Sequence, residues 1–109
     1  MQENRRQHNR IASNWPVEIS IGSQVVIQGR LKDLSVKSAF VRMKSSVYMK
    51  INDELGFTIK CSPEDNGSEG TVSGEARISR IAPGEGIAIY FTKLMEGSSR
   101  LQELVGHTP

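Results

Sequence analysis

What most constrains this chain is a repeated two-residue alternation of apolar and polar side chains, in runs too short for helices and punctuated by turn-forming residues. Val17, Ile19 and Ile21 alternate with Glu18 and Ser20, and Leu55, Phe57, Ile59 and Cys61 fall on one side of their run. Near the C-terminus Ile87, Ile89 and Phe91 face one way, with Tyr90 and Thr92 facing the other. A period of two places alternate side chains on opposite faces of an extended strand, so each run predicts a half-buried β-strand.

The intervening segments fit that reading. Pro16 holds Trp15 extended at a strand start, where Trp15 packs, and Gly22-Ser23 suits a tight hairpin. A second strand is expected from Gln24 to Lys32, with Val25, Ile27 and Leu31 on one face and Gln28, Arg30 and Lys32 on the other. Asp33 to Ser38 then forms a polar turn into a third strand, Ala39 to Met43. Residues 44–54 connect onward, with Val47, Tyr48, Met49 and Ile51 expected to cap one end of the core and Asn52-Asp53 to open the next strand. Ser62 to Gly70 reads as an exposed loop. A long strand follows, in which Val72, Ala76 and Ile78 alternate with polar residues and Gly74 breaks the register. Pro83-Gly84-Glu85-Gly86 turns it into the last strand. Ser99 and Gln102 have capping-box spacing before a short helix with Leu101, Leu104 and Val105 as its apolar stripe and Gly106 as its stop. Some six strands with hairpin connections and one late helix imply a small antiparallel barrel or sandwich.

The expected domain organisation follows, with residues 1–13 as a flexible basic arm and 14–109 as one β domain closed by the helix. At 109 residues the chain can bury a single core without disulfide staples. Its one cysteine is expected to be a small buried hydrophobe, and with no secretory signal pattern the expected compartment is the cytoplasm. No apolar run is long enough to span a membrane. A net charge of +2 and 6% aromatic residues do not describe a DNA- or RNA-binding surface, which needs a basic groove lined with exposed aromatics. Enzymatic chemistry is not expected either. His8 and His107 lie in the terminal segments, and no nucleophile has a base or metal cluster beside it.

Charge is instead concentrated locally. Arg5, Arg6 and Arg10 supply three guanidiniums within six residues, ahead of the first strand. A guanidinium can fork onto phosphate oxygens or lie flat on a purine, while an Asp/Ser turn can bond a base edge. Each stretch also has an ordinary reading, as a solvated basic tether and as a turn in which Asp and Ser side chains bond nearby backbone amides. Together they propose a nucleotide site.

At these residues the chain resembles the PilZ domain, a bacterial receptor module for the second messenger cyclic di-GMP. That family carries an Arg-x-x-x-Arg element in an N-terminal arm and an Asp/Asn-x-Ser-x-x-Gly element between the second and third strands of a six-stranded antiparallel β-barrel. Arg6-Gln7-His8-Asn9-Arg10 matches the first, with Arg5 beside it, and Asp33-Leu34-Ser35-Val36-Lys37-Ser38 matches the second at Asp33 and Ser35. The following Ala39-Phe40-Val41, the entry Gly84-Glu85-Gly86-Ile87 and the terminal helix extend the likeness over about residues 5–105.

The resemblance implies a cyclic di-GMP receptor that acts through a downstream protein partner and carries no cofactor of its own. Arg6 and Arg10 would grip phosphate and guanine with Arg5 as an auxiliary cation, Asp33 would accept from a guanine N–H edge, and Ser35 would bond ligand or turn. Ser38 stands where the family has glycine. If the backbone there needs positive φ, the serine costs about 1–3 kcal/mol and weakens binding accordingly. The alternative is a PilZ-like adaptor whose nucleotide binding is weakened or lost and which works through protein contacts.

Overall fold

A computed structural model of the chain describes residues 11–22, 25–44, 49–62, 70–102 and 105. The described residues form seven strands, β1 (Ile11–Ala12), β2 (Pro16–Ile21), β3 (Val25–Leu34), β4 (Ser38–Arg42), β5 (Glu54–Cys61), β6 (Gly70–Ala82) and β7 (Gly86–Glu96), followed by helix α1 (Ser98–Leu101). All pairings are antiparallel in the order β3-β2-β5-β6-β7-β4, and β4 pairs back onto β3. The six long strands therefore close into a barrel, which removes the open edges that a flat sheet would expose. The expected choice between barrel and sandwich resolves to the barrel.

The alternating runs build its interior. Val17 and Ile19 of β2, Leu55, Phe57, Ile59 and Cys61 of β5, and Ile87, Ile89 and Phe91 of β7 are all buried in one cluster. Phe57 and Phe91 stack across it, with ring centroids 4.7 Å apart and planes inclined by 16°. Trp15 is half-buried against this core. Burial raises the Cys61 thiol above its ordinary pKa, partly offset by the Arg100 guanidinium, which suits a packing role.

Gly74 does not interrupt the inward phase of β6, because Val72, Gly74, Ala76 and Ile78 are all buried. What slips there is the pairing with β7, between Ser73 and Gly74. A Cβ on Gly74 would run into the Lys93 carbonyl and the Leu94 backbone, so the glycine lets β7 cross close over β6.

Several expected boundaries move. Asp33 and Leu34 belong to β3 and Ser38 to β4, so the expected six-residue polar turn contracts to residues 35–37. Within the expected core cap Met49 is buried, but Ile51 is 53% exposed; Val47 and Tyr48 lie outside the described residues. β5 starts at Glu54 rather than at Asn52, because Asn52 has φ of 78° and Asp53 closes a turn on Lys50. There the Lys50 N–H donates to Asp53 Oδ2 at 2.9 Å, and the Asp53 N–H donates to the Lys50 carbonyl at 3.0 Å. The helix is capped by Gly97 in the left-handed region (φ 88°) with no side-chain cap, so the expected Ser99–Gln102 capping box is not used. Leu101 and Val105 nevertheless bury against the barrel, as the apolar stripe implied; Leu104 and Gly106 lie outside the described residues.

Candidate functional site

The site is built on two places where strand alternation slips by one residue. Leu31 and Leu34 of β3 are both fully buried although they are three residues apart. Strict alternation would send one of them outward; the register with β4 instead shifts between Leu31 and Asp33, so Lys32 and Asp33 together face Phe40. The same happens in β6. Ile78 is buried and Ile81 packs against the core, while the pairing shifts between Ile78 and Arg80 and places Arg80 across from Ala88. The sequence carries a legible signal for both slips, the patterns Leu-Lys-Asp-Leu and Ile-Ser-Arg-Ile, with apolar residues three apart inside a period-two strand.

These slips create a row across the outer face of four strands, from Asp33 on β3 through Phe40 on β4 and Ala88 on β7 to Arg80 on β6. Phe40 is only 5% exposed yet stands outside the barrel core. It is covered by cations: Lys32 Nζ lies 5.3 Å and the Arg80 guanidinium carbon 5.5 Å from its ring centroid. The small Ala88 between them lets Arg80 reach across two strands. A neighbouring row holds Ser38, the exposed Tyr90, and Arg77, which pairs with Glu54 at 2.9 Å.

The turn at 35–37 joins these rows. Ser35 is 1% exposed and is the one buried polar residue among those described. Its Oγ accepts the Lys37 N–H at 3.3 Å and the Ser38 N–H at 3.1 Å, and its proton can reach the Ser38 carbonyl at 3.3 Å or the Ser38 hydroxyl at 3.1 Å. The Ser35 N–H donates to the Ser38 carbonyl at 2.8 Å, and the Lys37 carbonyl accepts from the Phe91 N–H at 2.8 Å. A hydroxyl has one proton and two lone pairs, so this network uses all that Ser35 offers. Of its two expected roles, bonding ligand or turn, the bonds seen are those to the turn.

Ser38 corrects the expectation of backbone strain. Among the described residues Asn52 alone of the non-glycines has positive φ, and Ser38 is an ordinary strand residue paired with Tyr90. Serine is accommodated there without conformational cost, and its hydroxyl joins the Ser35 network.

Asp33 faces outward at the head of this surface, and it is not isolated, since it has an interaction partner in the structure. Arg5, Arg6 and Arg10, expected to grip the ligand, lie outside the described residues. The segment that follows them does not. β1 pairs with the end of β3, with Ile11 opposite Leu34 and Ala12 opposite Asp33, so the C-terminal part of the expected 1–13 arm is integrated into the sheet. Among the described residues no group of three or more His, Cys, Asp or Glu side chains is placed to hold a metal ion, and no helix is long and apolar enough to cross a membrane.

The PilZ domain model matches residues 4–107. The chain belongs to the PilZ family. The match spans both the arginine-rich segment and the Asp33–Ser38 element. Among solved structures, the PilZ fold is similar to the Bacillus subtilis inhibitor of motility, MotI/DgrA, with a TM-score of 0.76 at 16% identity over 95% of this chain. This chain spans 50% of that protein. It is also similar to the PilZ domain of CeSA from a cellulose-synthesizing bacterium, with a TM-score of 0.58 and 26% identity, covering 89% of this chain and 94% of that one. No curated protein matches the chain.

Proposed function

We propose that this PilZ domain is a receptor for cyclic di-GMP, which it holds between the Arg6-x-x-x-Arg10 segment and the outer face headed by Asp33. The observation that carries this reading is the β1 pairing. Ile11 lies opposite Leu34 and Ala12 opposite Asp33, so the strand that follows the arginine-rich segment in sequence pairs with the end of β3 that carries Asp33.

The chemistry matches the ligand. A cyclic dinucleotide presents two phosphates and two guanines; guanidiniums pair with phosphate oxygens and with the O6 and N7 acceptors of guanine, and a carboxylate accepts from guanine N–H groups. Asp33 supplies that acceptor from a strand position fixed by the register slip, while Ser35 holds the turn and leaves the ligand to its neighbours. Hydrogen bonds to charged groups contribute about 1.5–3 kcal/mol each, so several of them can offset the cost of ordering an arm over the barrel. The output is then a change of surface read by a protein partner.

Calorimetric titration with cyclic di-GMP, using GTP as the control ligand, tests this. Saturable binding lost in Arg6→Ala, Arg10→Ala and Asp33→Asn supports the receptor. Absence of binding by a folded domain favours the family alternative, an adaptor working through protein contacts alone.

A further inference from the structure

The outer face continues past the row headed by Asp33 into a further cluster of cations. Next to the row containing Phe40 lies a second one: Arg30 on β3 is directly opposite Arg42 on β4, which is opposite Gly86 on β7. Two like charges placed directly across a strand pair repel, and an anion set against them would relieve that repulsion. Arg30 donates to the Asn14 carbonyl at 3.0 Å. The Arg77–Glu54 ion pair lies on another row. A cavity of about 460 Å³ opens on this face, lined by Lys32, Phe40, Arg42, Met43, Lys44 and the Gly84-Glu85 turn. Among the described residues Glu85 is the one acidic group in its wall.

We infer that this face docks an acidic, extended segment of a partner protein. Phe40, the aromatic in the cavity, is roofed by Lys32 and Arg80 and has only 5% of its surface exposed, so it offers no open ring on which a base could stack. What remains accessible is positive charge at strand spacing. Arg30 and Lys32 are two residues apart on β3, and Arg42 and Lys44 are two apart along the next strand and its exit. Two residues of strand advance by about 6.6–6.8 Å, the distance at which an extended peptide presents alternate side chains to the same side. Acidic residues at every second position therefore meet these cations in step. The ring beneath Lys32 and Arg80 holds two of the side chains in place, which reduces the ordering cost of binding.

The test is fluorescence anisotropy of the whole domain with a labelled peptide of six Glu-Thr repeats, alongside a Lys-Thr peptide of equal length and a thymidine 12-mer. The Glu-Thr peptide should bind, weaken as salt rises from about 50 to 300 mM, and lose affinity about tenfold or more in Arg42→Glu and in Lys44→Glu. Lys60→Glu, which makes the same charge change on β5 across the barrel, should alter it less than about twofold. Equal losses in all three variants would reduce the effect to net charge and overturn the proposal. Tighter binding of the thymidine oligomer would make the face a nucleic-acid surface instead, and stoichiometric displacement of the peptide by cyclic di-GMP would assign it to the dinucleotide. No binding of the peptide at millimolar concentration would remove the docking site altogether, with the receptor reading tested separately by calorimetry.

Discussion

Ser35→Ala separates a hydroxyl that builds the turn from one that touches ligand. In the folded domain the Ser35 Oγ accepts from two backbone N–H groups, at 3.1 and 3.3 Å, in a position 1% exposed. Alanine keeps the shape and leaves both donors without that acceptor. A buried donor stripped of its partner costs about 1–3 kcal/mol, and both bonds here are long and only part-buried, so the pair is worth about 2 kcal/mol together. At roughly 2.1 cal/mol/K of unfolding entropy per residue, a chain of 109 residues loses about 4 °C of Tm per kcal/mol. The variant should therefore melt about 8 °C lower in a calorimetric or circular-dichroism scan. Its affinity for cyclic di-GMP, measured well below that melting point, should change less than about threefold. A Tm within about 2 °C of the parent, accompanied by a tenfold loss of affinity, would refute the argument and make Ser35 a ligand contact.

Other substitutions probe the remaining steps. Ser38→Gly should not tighten ligand binding by the one to two decades that relief of strain would give, because Ser38 is an ordinary strand residue; it should lower the Tm through loss of its hydroxyl from the turn, as a thermal scan with parallel titration can check. Gly74→Ala forces a methyl group into the Lys93 carbonyl, and a cost of several kcal/mol should appear as a large drop in urea midpoint or as failure to fold. Tryptic cleavage after Arg5, Arg6 and Arg10 should slow when cyclic di-GMP is added, followed by mass spectrometry; unchanged cleavage at saturation would contradict an arm that is ordered by ligand.

The barrel was legible because its interior is written in strict alternation. Leu55, Phe57, Ile59 and Cys61 on one side of β5, and Ile87, Ile89 and Phe91 on one side of β7, leave little freedom about which faces turn inward. The outer face was harder to read, because its composition depends on where the alternation fails. Counting in twos from Leu31 puts Asp33 inside and Leu34 outside, and only the pairing of β3 with β4 reverses both. Phe40 was equally hidden: an aromatic in an alternating strand reads as core, whereas here it is buried from outside by Lys32 and Arg80. At Ser38 the family pattern suggested a strained backbone, but the conformation of that residue is set by pairing with Tyr90 and not by the turn before it. Helix capping went the same way. Ser99 and Gln102 have suitable spacing, but the chain leaves β7 through Gly97, whose left-handed backbone passes close against Thr71 and fixes the helix start two residues earlier.

The most direct test of the central claim is an amide NMR titration of the 15N-labelled domain with cyclic di-GMP. The account predicts that the largest shifts fall on Ile11, Ala12 and residues 33–38, with Phe40 and Ala88 next, and that β5 stays unmoved. Shifts concentrated on β5 and β6 with the turn silent, or an unchanged spectrum at saturating ligand, would contradict it.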